Sequence, residues 1–116
     1  MFRLHESDKQ YRNGDSGPKY LMQGPRMNFA VMRLKPGENF NAHYHGVMEE
    51  NFYVLEGELE VVVDGRPQRL GVGDFIHVEP KEIHYLRNPG AAPVKFIAAL
   101  SPYQQSDKTE VENYTY

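Results

Sequence analysis

Between residues 27 and 100 the chain is cut into short runs by turn signals, and this punctuation limits the fold more than any other feature. Pro36-Gly37, Glu56-Gly57, Asp64-Gly65, Asn88-Pro89-Gly90 and the stretch 71–74 each sit between runs rich in β-branched, aromatic or aliphatic side chains. Those runs read as strands over residues 27–34, 40–45, 50–56, 58–64, 68–70, 75–78, 84–88 and 94–100. No segment sustains the apolar period of a helix. Short strands at such close spacing predict an all-β domain of antiparallel pairs, a sandwich or a small barrel.

The flanks read differently. Residues 1–26 are polar and broken by Asn13-Gly14, Ser16-Gly17-Pro18 and Gly24-Pro25, which predicts an extended arm with one short strand around residues 19–22. Residues 101–116 form a polar tail, frayed or docked on a neighbour. The expected organisation is therefore an arm (1–26), a barrel (27–100) and a tail (101–116). No internal repeat points to two such barrels in tandem.

The chain has 116 residues, enough for one domain that buries its own core without staples. It has no Cys, so any soft-metal chemistry falls to imidazole. With a formal charge of −3 and no run of Lys or Arg, nucleic acid is not an expected partner. No apolar run approaches the roughly 18 to 20 residues of a membrane span, and the N-terminus lacks a signal-peptide apolar region. The expected address is cytoplasmic.

Chemistry concentrates in one place. His43 and His45 are two apart, so on a strand both rings leave the same face. A turn over residues 46–49 would reverse the chain and bring Glu50 back beside them, and His84 is a fourth candidate downstream. Imidazoles plus one carboxylate suit a single divalent transition ion (Mn, Fe, Co, Ni, Cu or Zn). Four protein ligands on a six-coordinate ion leave two positions for a small-molecule ligand. Glu49, one residue off, would face the other way.

These residues resemble the cupin superfamily. Its first motif, G-x5-H-x-H-x(3 or 4)-E-x6-G, is filled by Gly37, His43, His45, Glu50 and Gly57. Its second, G-x5-P-x-G-x2-H-x3-N, is met at its ends by Gly73, His84 and Asn88 but departs in the middle, where Glu79 and Lys81 replace Pro and Gly. Lys81 would carry a steric cost wherever the family's Gly uses positive φ. The resemblance spans residues 37–88 and implies a double-stranded β-helix (cupin) barrel, jelly-roll-like, of two antiparallel sheets. It further implies metal-dependent dioxygenation, decarboxylation or isomerisation of a carboxylate, hydroxyketone or sugar derivative, or else ligand binding without turnover.

Other residues are ambiguous in sequence. His77 faces outward or serves the site from behind. Asn88 reads chiefly as a turn residue, with a substrate contact as the alternative. Phe40, Phe52 and Val54 share parity with the ligands and form pocket lining or core. Arg33, Tyr53 and Arg87 are candidates for contact with an anionic or hydroxylated substrate. His5 reads as a surface residue of the arm. The run Val61-Val62-Val63 is apolar on both faces, which points to a covered outer face and a homodimer.

Overall fold

The computed structural model describes residues 1–112 and Tyr114. After a single 3₁₀ turn, Glu6–Asp8, ten strands follow: β1 (Gly17–Gln23), β2 (Asn28–Leu34), β3 (Asn39–His45), β4 (Glu49–Glu56), β5 (Leu59–Val63), β6 (Arg66–Leu70), β7 (Phe75–Val78), β8 (His84–Arg87), β9 (Val94–Ser101) and β10 (Lys108–Glu110). They form two five-stranded sheets, ordered β1-β2-β9-β4-β7 and β10-β3-β8-β5-β6. Every pairing is antiparallel. The all-β, two-sheet expectation holds. Among the described residues no helix is long and apolar enough to cross a membrane.

Period-two burial explains why the sheets pack face to face. Along β9, Val94, Phe96, Ala98 and Leu100 are buried while Lys95, Ile97, Ala99 and Ser101 are less so. Phe52, Val54, Leu59, Val61, Val94 and Phe96 are completely enclosed, each contributing about 1.5–3 kcal/mol by leaving water. The Phe52 and Phe96 rings meet edge to face across β4 and β9, centroids 6.0 Å apart.

Two turns show how sequence sets register. Asp64-Gly65 joins β5 to β6 with φ of 48° and 80°, the pair of positive values that a two-residue type I′ hairpin needs. Gly57, with φ +79°, passes so close to β9 that a Cβ there would lie 2.6 Å from the Pro93 carbonyl oxygen.

The flanks are more structured than the sequence indicates. β1 is seven residues long and pairs with β2 as a sheet edge, so the arm joins the sandwich. The preceding residues lie along it, with Lys95 Nζ 2.7 Å from Glu6 Oε1 and Lys19 Nζ 4.2 Å from the Tyr11 ring centre. His5, a surface residue as expected, caps the 3₁₀ turn. In the tail, β10 pairs with β3, Lys108 opposite His45 and Glu110 opposite His43.

The valine run has an explanation within one chain. Val61 sits in the core and Val63 packs against it, while Val62, on the outer face, is only 4% exposed. The open apolar surface lies on the other sheet, where Tyr53 and Phe75 stand opposite each other on β4 and β7 and both are exposed.

Candidate metal centre

Three imidazoles come from adjacent strands of one sheet. His43 on β3 is in register with His84 on β8, and His45 follows two residues along β3 on the same inward face. Glu50 arrives from the other sheet. Residues 46–48 do not make a hairpin; they carry the chain across the sandwich, and Glu50 pairs in its own sheet with Val78 and Leu100. The carboxylate therefore faces the histidines from across the barrel rather than lying beside them. Parity holds, since Glu50, Phe52 and Val54 are all buried on the inward face of β4.

The four side chains converge. One donor atom from each of His43, His45, Glu50 and His84 lies within 4.8 Å of the other three, and all four residues are buried. Glu50 Oε1 is 2.8 Å from His84 Nε2 and 3.3 Å from His45 Nε2. The ring centres of His43 and His84 are 4.3 Å apart, and those of His43 and His45 5.2 Å.

Backbone carbonyls orient two of the rings. The Asn41 carbonyl lies 2.7 Å from His43 Nδ1 and the Glu82 carbonyl 3.0 Å from His84 Nδ1. Each carbonyl accepts from an Nδ1–H, which turns Nε2 toward the cluster, the arrangement seen when a histidine ligand is held by an outer partner. His45 Nδ1 is buried without a partner.

Electrostatics follow from this packing. Burial disfavours the Glu50 anion, but hydrogen bonds from His45 and His84 outweigh it and hold the carboxyl well below the usual carboxylate range. Burial also opposes a charge on His84, yet its bond to Glu50 wins and raises the pKa. His43, desolvated and beside His84, is pushed down to about 4. Without an ion, the bond from His84 Nε2 at 2.8 Å is the shortest contact to the buried carboxylate. Three imidazoles and one anionic carboxylate, with nitrogens already facing inward, fit a divalent transition ion.

Three of these residues, His43, His45 and Glu50, line a cavity of about 540 Å³ between the sheets. Its inner walls are apolar, including Met32, Phe40, Met48, Leu86 and Leu100, and its open end carries Arg12, Gln23 and the segment 103–108. That segment is pinned to the crossing between His45 and Glu50. Asp107 Oδ2 accepts from the Val47 and Met48 amides at 3.0 and 2.8 Å, and the Asp107 carbonyl accepts from Gly46.

The remaining candidates fall outside the cavity, with one exception. Phe40 forms part of its wall, whereas Phe52 and Val54 are core. Arg33, Tyr53 and Arg87 do not line it, so their expected substrate contact is corrected. Arg33 donates to the Asp15 carbonyl and Arg87 pairs with Glu60 at 2.6 Å, both on the outer surface, and Tyr53 stands on the outer face. Asn88 is a buried turn residue: its Nδ2 donates to Leu34 and Ala92 carbonyls and its Oδ1 accepts from Gly90. His77 lies outside, 2.6 Å from Asn51 Oδ1 and 3.5 Å from Glu49 Oε2, so Glu49 also faces away from the centre. Lys81 adopts φ 72°, the strained conformation expected where the motif has Gly, and its amide donates to the His45 carbonyl at 2.7 Å. Sequence reasoning missed Arg12, Asn28 and Asp107. Arg12 and Asp107 lie in polar stretches where no apolar period marks an inward side chain, whereas Asn28 could have been found from its parity with Ala30, Met32 and Leu34 on β2.

Comparison with known proteins agrees with this architecture. Residues 30–100 match the family model described as Cupin domain. The polyketide synthase protein CurC of Streptomyces cyaneus is 41% identical over 78 residues, covering 66% of this chain and 48% of CurC, so the chain spans about half of that relative. Two solved structures share the fold. The first, an uncharacterised Klebsiella pneumoniae protein with a double-stranded β-helix domain, has a TM-score of 0.82 at 20% identity over 97% of this chain and 99% of its own. The second, the polyketide cyclase RemF of Streptomyces resistomycificus, has a TM-score of 0.80 at 21% identity over 98% of this chain and 87% of its own. With the motif residues in place, their side chains gathered at one buried point and the family model spanning most of the barrel, the chain belongs to the cupin domain family.

Proposed function

We propose that His43, His45, Glu50 and His84 hold one divalent transition-metal ion and that the protein is an enzyme acting on a small oxygen-rich substrate in the adjoining cavity. The observation that carries this reading is the convergence of four buried donors within 4.8 Å at the inner end of an open cavity. A bound ion would supply Lewis-acid polarisation of substrate oxygens and, if Fe or Mn, a route to dioxygen chemistry. The protein's own part in this reading falls to its side chains. Glu50 stays anionic, His43 stays neutral, and Met32, Met48, Leu86 and Leu100 give the inner space an apolar lining.

The apolar walls narrow the substrate. A free sugar would leave hydroxyls facing Met32, Met48, Leu86 and Leu100, where Asn28 offers one acceptor and cannot serve them all. A skeleton that is apolar but carries adjacent oxygens, as in aromatic or enolic carbonyl compounds, matches the lining better. Similarity to a polyketide synthase protein and to a polyketide cyclase supports the same class.

A second reading, a small-molecule-binding protein whose metal does not turn over substrate, is favoured by one observation. Apart from the cluster, the acidic and basic side chains among the described cavity residues, Arg12, Asp107 and Lys108, stand at the open end, and Asp107 is committed to backbone amides. Among the described residues, no carboxylate, lysine or arginine outside the cluster lies among the inner-wall side chains.

The test is metal content by mass spectrometry of protein purified without added metal. Near-stoichiometric metal is expected in the wild type and in Glu49→Gln, with strong loss in Glu50→Gln. Equal occupancy in the two variants, or a wild type devoid of metal that takes none up, would overturn the reading.

A further inference from the structure

The cavity holds two polar groups that the chain itself leaves unmatched, one at its open end and one further in. Arg12 is the first. Its backbone is fixed, because its amide donates to the Pro18 carbonyl at 2.9 Å and the neighbouring loop is closed by Gly14 to Tyr11 and Asn13 to Ser16 bonds. Its guanidinium sits 6.0 Å from the centre of the Tyr20 ring, and both residues line the cavity. Among the described residues no carboxylate pairs with it, whereas Arg69, Arg87, Lys35 and Lys95 each have an acidic partner. The cavity's own acids are committed elsewhere, Glu50 to His45 and His84, and Asp107 to Val47 and Met48.

Asn28 is the second. It shares the inward face of β2 with Ala30 and Met32, lines the same cavity, and its Oδ1 is buried without a donor. A buried acceptor left unpaired is costly, and a ligand hydroxyl would relieve it.

We infer that the ligand is an acid, bound with its carboxylate on Arg12 at the open end, a hydroxyl donating to Asn28, and its chelating oxygens at the buried end. This rests on the metal reading above and adds the anion to it. Arg suits the task because its planar fork matches a carboxylate with two parallel bonds, and the Tyr20 face holds the guanidinium in place.

The experiment compares two probes on the cobalt(II)-loaded protein, catechol and 3,4-dihydroxybenzoate, which chelate alike and differ by one carboxylate. Binding is followed by calorimetry and by the visible absorption of the cobalt. In the wild type the carboxylate should tighten binding about tenfold, a value at the low end for a charge-assisted pair because Arg12 is exposed. Arg12→Gln should abolish that advantage and leave catechol affinity unchanged, and Arg12→Lys should restore part of it. In the wild type alone, raising sodium chloride from 50 to 500 mM should shrink the advantage while sparing catechol. Equal binding of the two probes, or an equal loss of both in Arg12→Gln, overturns the anion subsite and leaves the metal reading standing. Failure of catechol to perturb the cobalt spectrum overturns both.

Discussion

Gly57→Ala isolates the tightest backbone approach in the barrel. Two costs apply. The first is conformational: alanine at φ +79° is strained by about 1 kcal/mol relative to glycine. The second is steric. The new methyl would lie 2.6 Å from the Pro93 oxygen and 3.0 Å from Val94 Cα, and both are main-chain atoms that no rotamer change can move. Val94 is fully buried at the start of β9 and paired with Leu34, so relief requires a shift of a central strand, costing about 1–3 kcal/mol as overpacking does. The expected total is about 2–4 kcal/mol, a large share of a typical 5–15 kcal/mol stability. Gly37→Ala is the control. Its φ is +81° but a Cβ there meets nothing within 4 Å, so only the first cost, about 1 kcal/mol, applies. Urea unfolding followed by circular dichroism should rank Gly57→Ala below Gly37→Ala by more than about 1 kcal/mol at unchanged slope. Equal destabilisation of the two would refute the claim that contact with β9, rather than φ, makes position 57 intolerant.

Lys81→Gly should stabilise the protein by roughly 0.5–1 kcal/mol, because φ 72° costs a side chain more than glycine's extra freedom costs the unfolded chain; a lower urea midpoint would contradict this. In metal-free protein His43, at about 4 when folded, takes up a proton more readily when unfolded, near pH 6.5. Stability should therefore fall by about 2–3 kcal/mol as pH drops from 6.5 to 4.5. His84, whose folded pKa is raised, opposes this trend at the upper end of the range, and Glu50, whose folded pKa is lowered, adds to it at the acid end. His43→Gln should remove most of the slope, and an unchanged slope counts against it. Two copies are expected to associate through the exposed Tyr53 and Phe75 pair, so Phe75→Glu should shift the light-scattering mass from dimer to monomer, and a wild-type monomer at micromolar concentration would dismiss the association.

What could be read in the sequence depended on whether local spacing or global topology set the answer. His43 and His45 needed only strand parity, and Glu50 only a count to Gly57 and the apolar company of Phe52 and Val54. Lys81 stood out as a departure, and its φ of 72° is the strain that departure implied. By contrast, the origin of Glu50 in the opposite sheet is a property of strand order, which no local pattern encodes. Asp64-Gly65 and the segment 46–48 both look like turns, yet one closes a hairpin and the other crosses between layers. β10 was invisible because Lys108, Thr109 and Glu110 are all exposed and show no alternation. The Val61-Val62-Val63 run was visible, but its outer residue is shielded within the same chain, so it carried less information about a partner than it seemed to.

The cavity is assembled from two sources. The segment matched by the family model, residues 30–100, holds all four clustered side chains, yet more than half of the residues around the cavity lie before or after it. Arg12, Tyr20, Asn28, Tyr103 and Asp107 are among them. On the reading proposed above, the four metal-holding side chains come from the matched segment and more than half of the ligand-facing wall from the flanks. Changes confined to the loop before β1, where Arg12 stands, or to residues 103–108 after β9, where Asp107 stands, would alter what the cavity accepts and leave the four clustered side chains untouched.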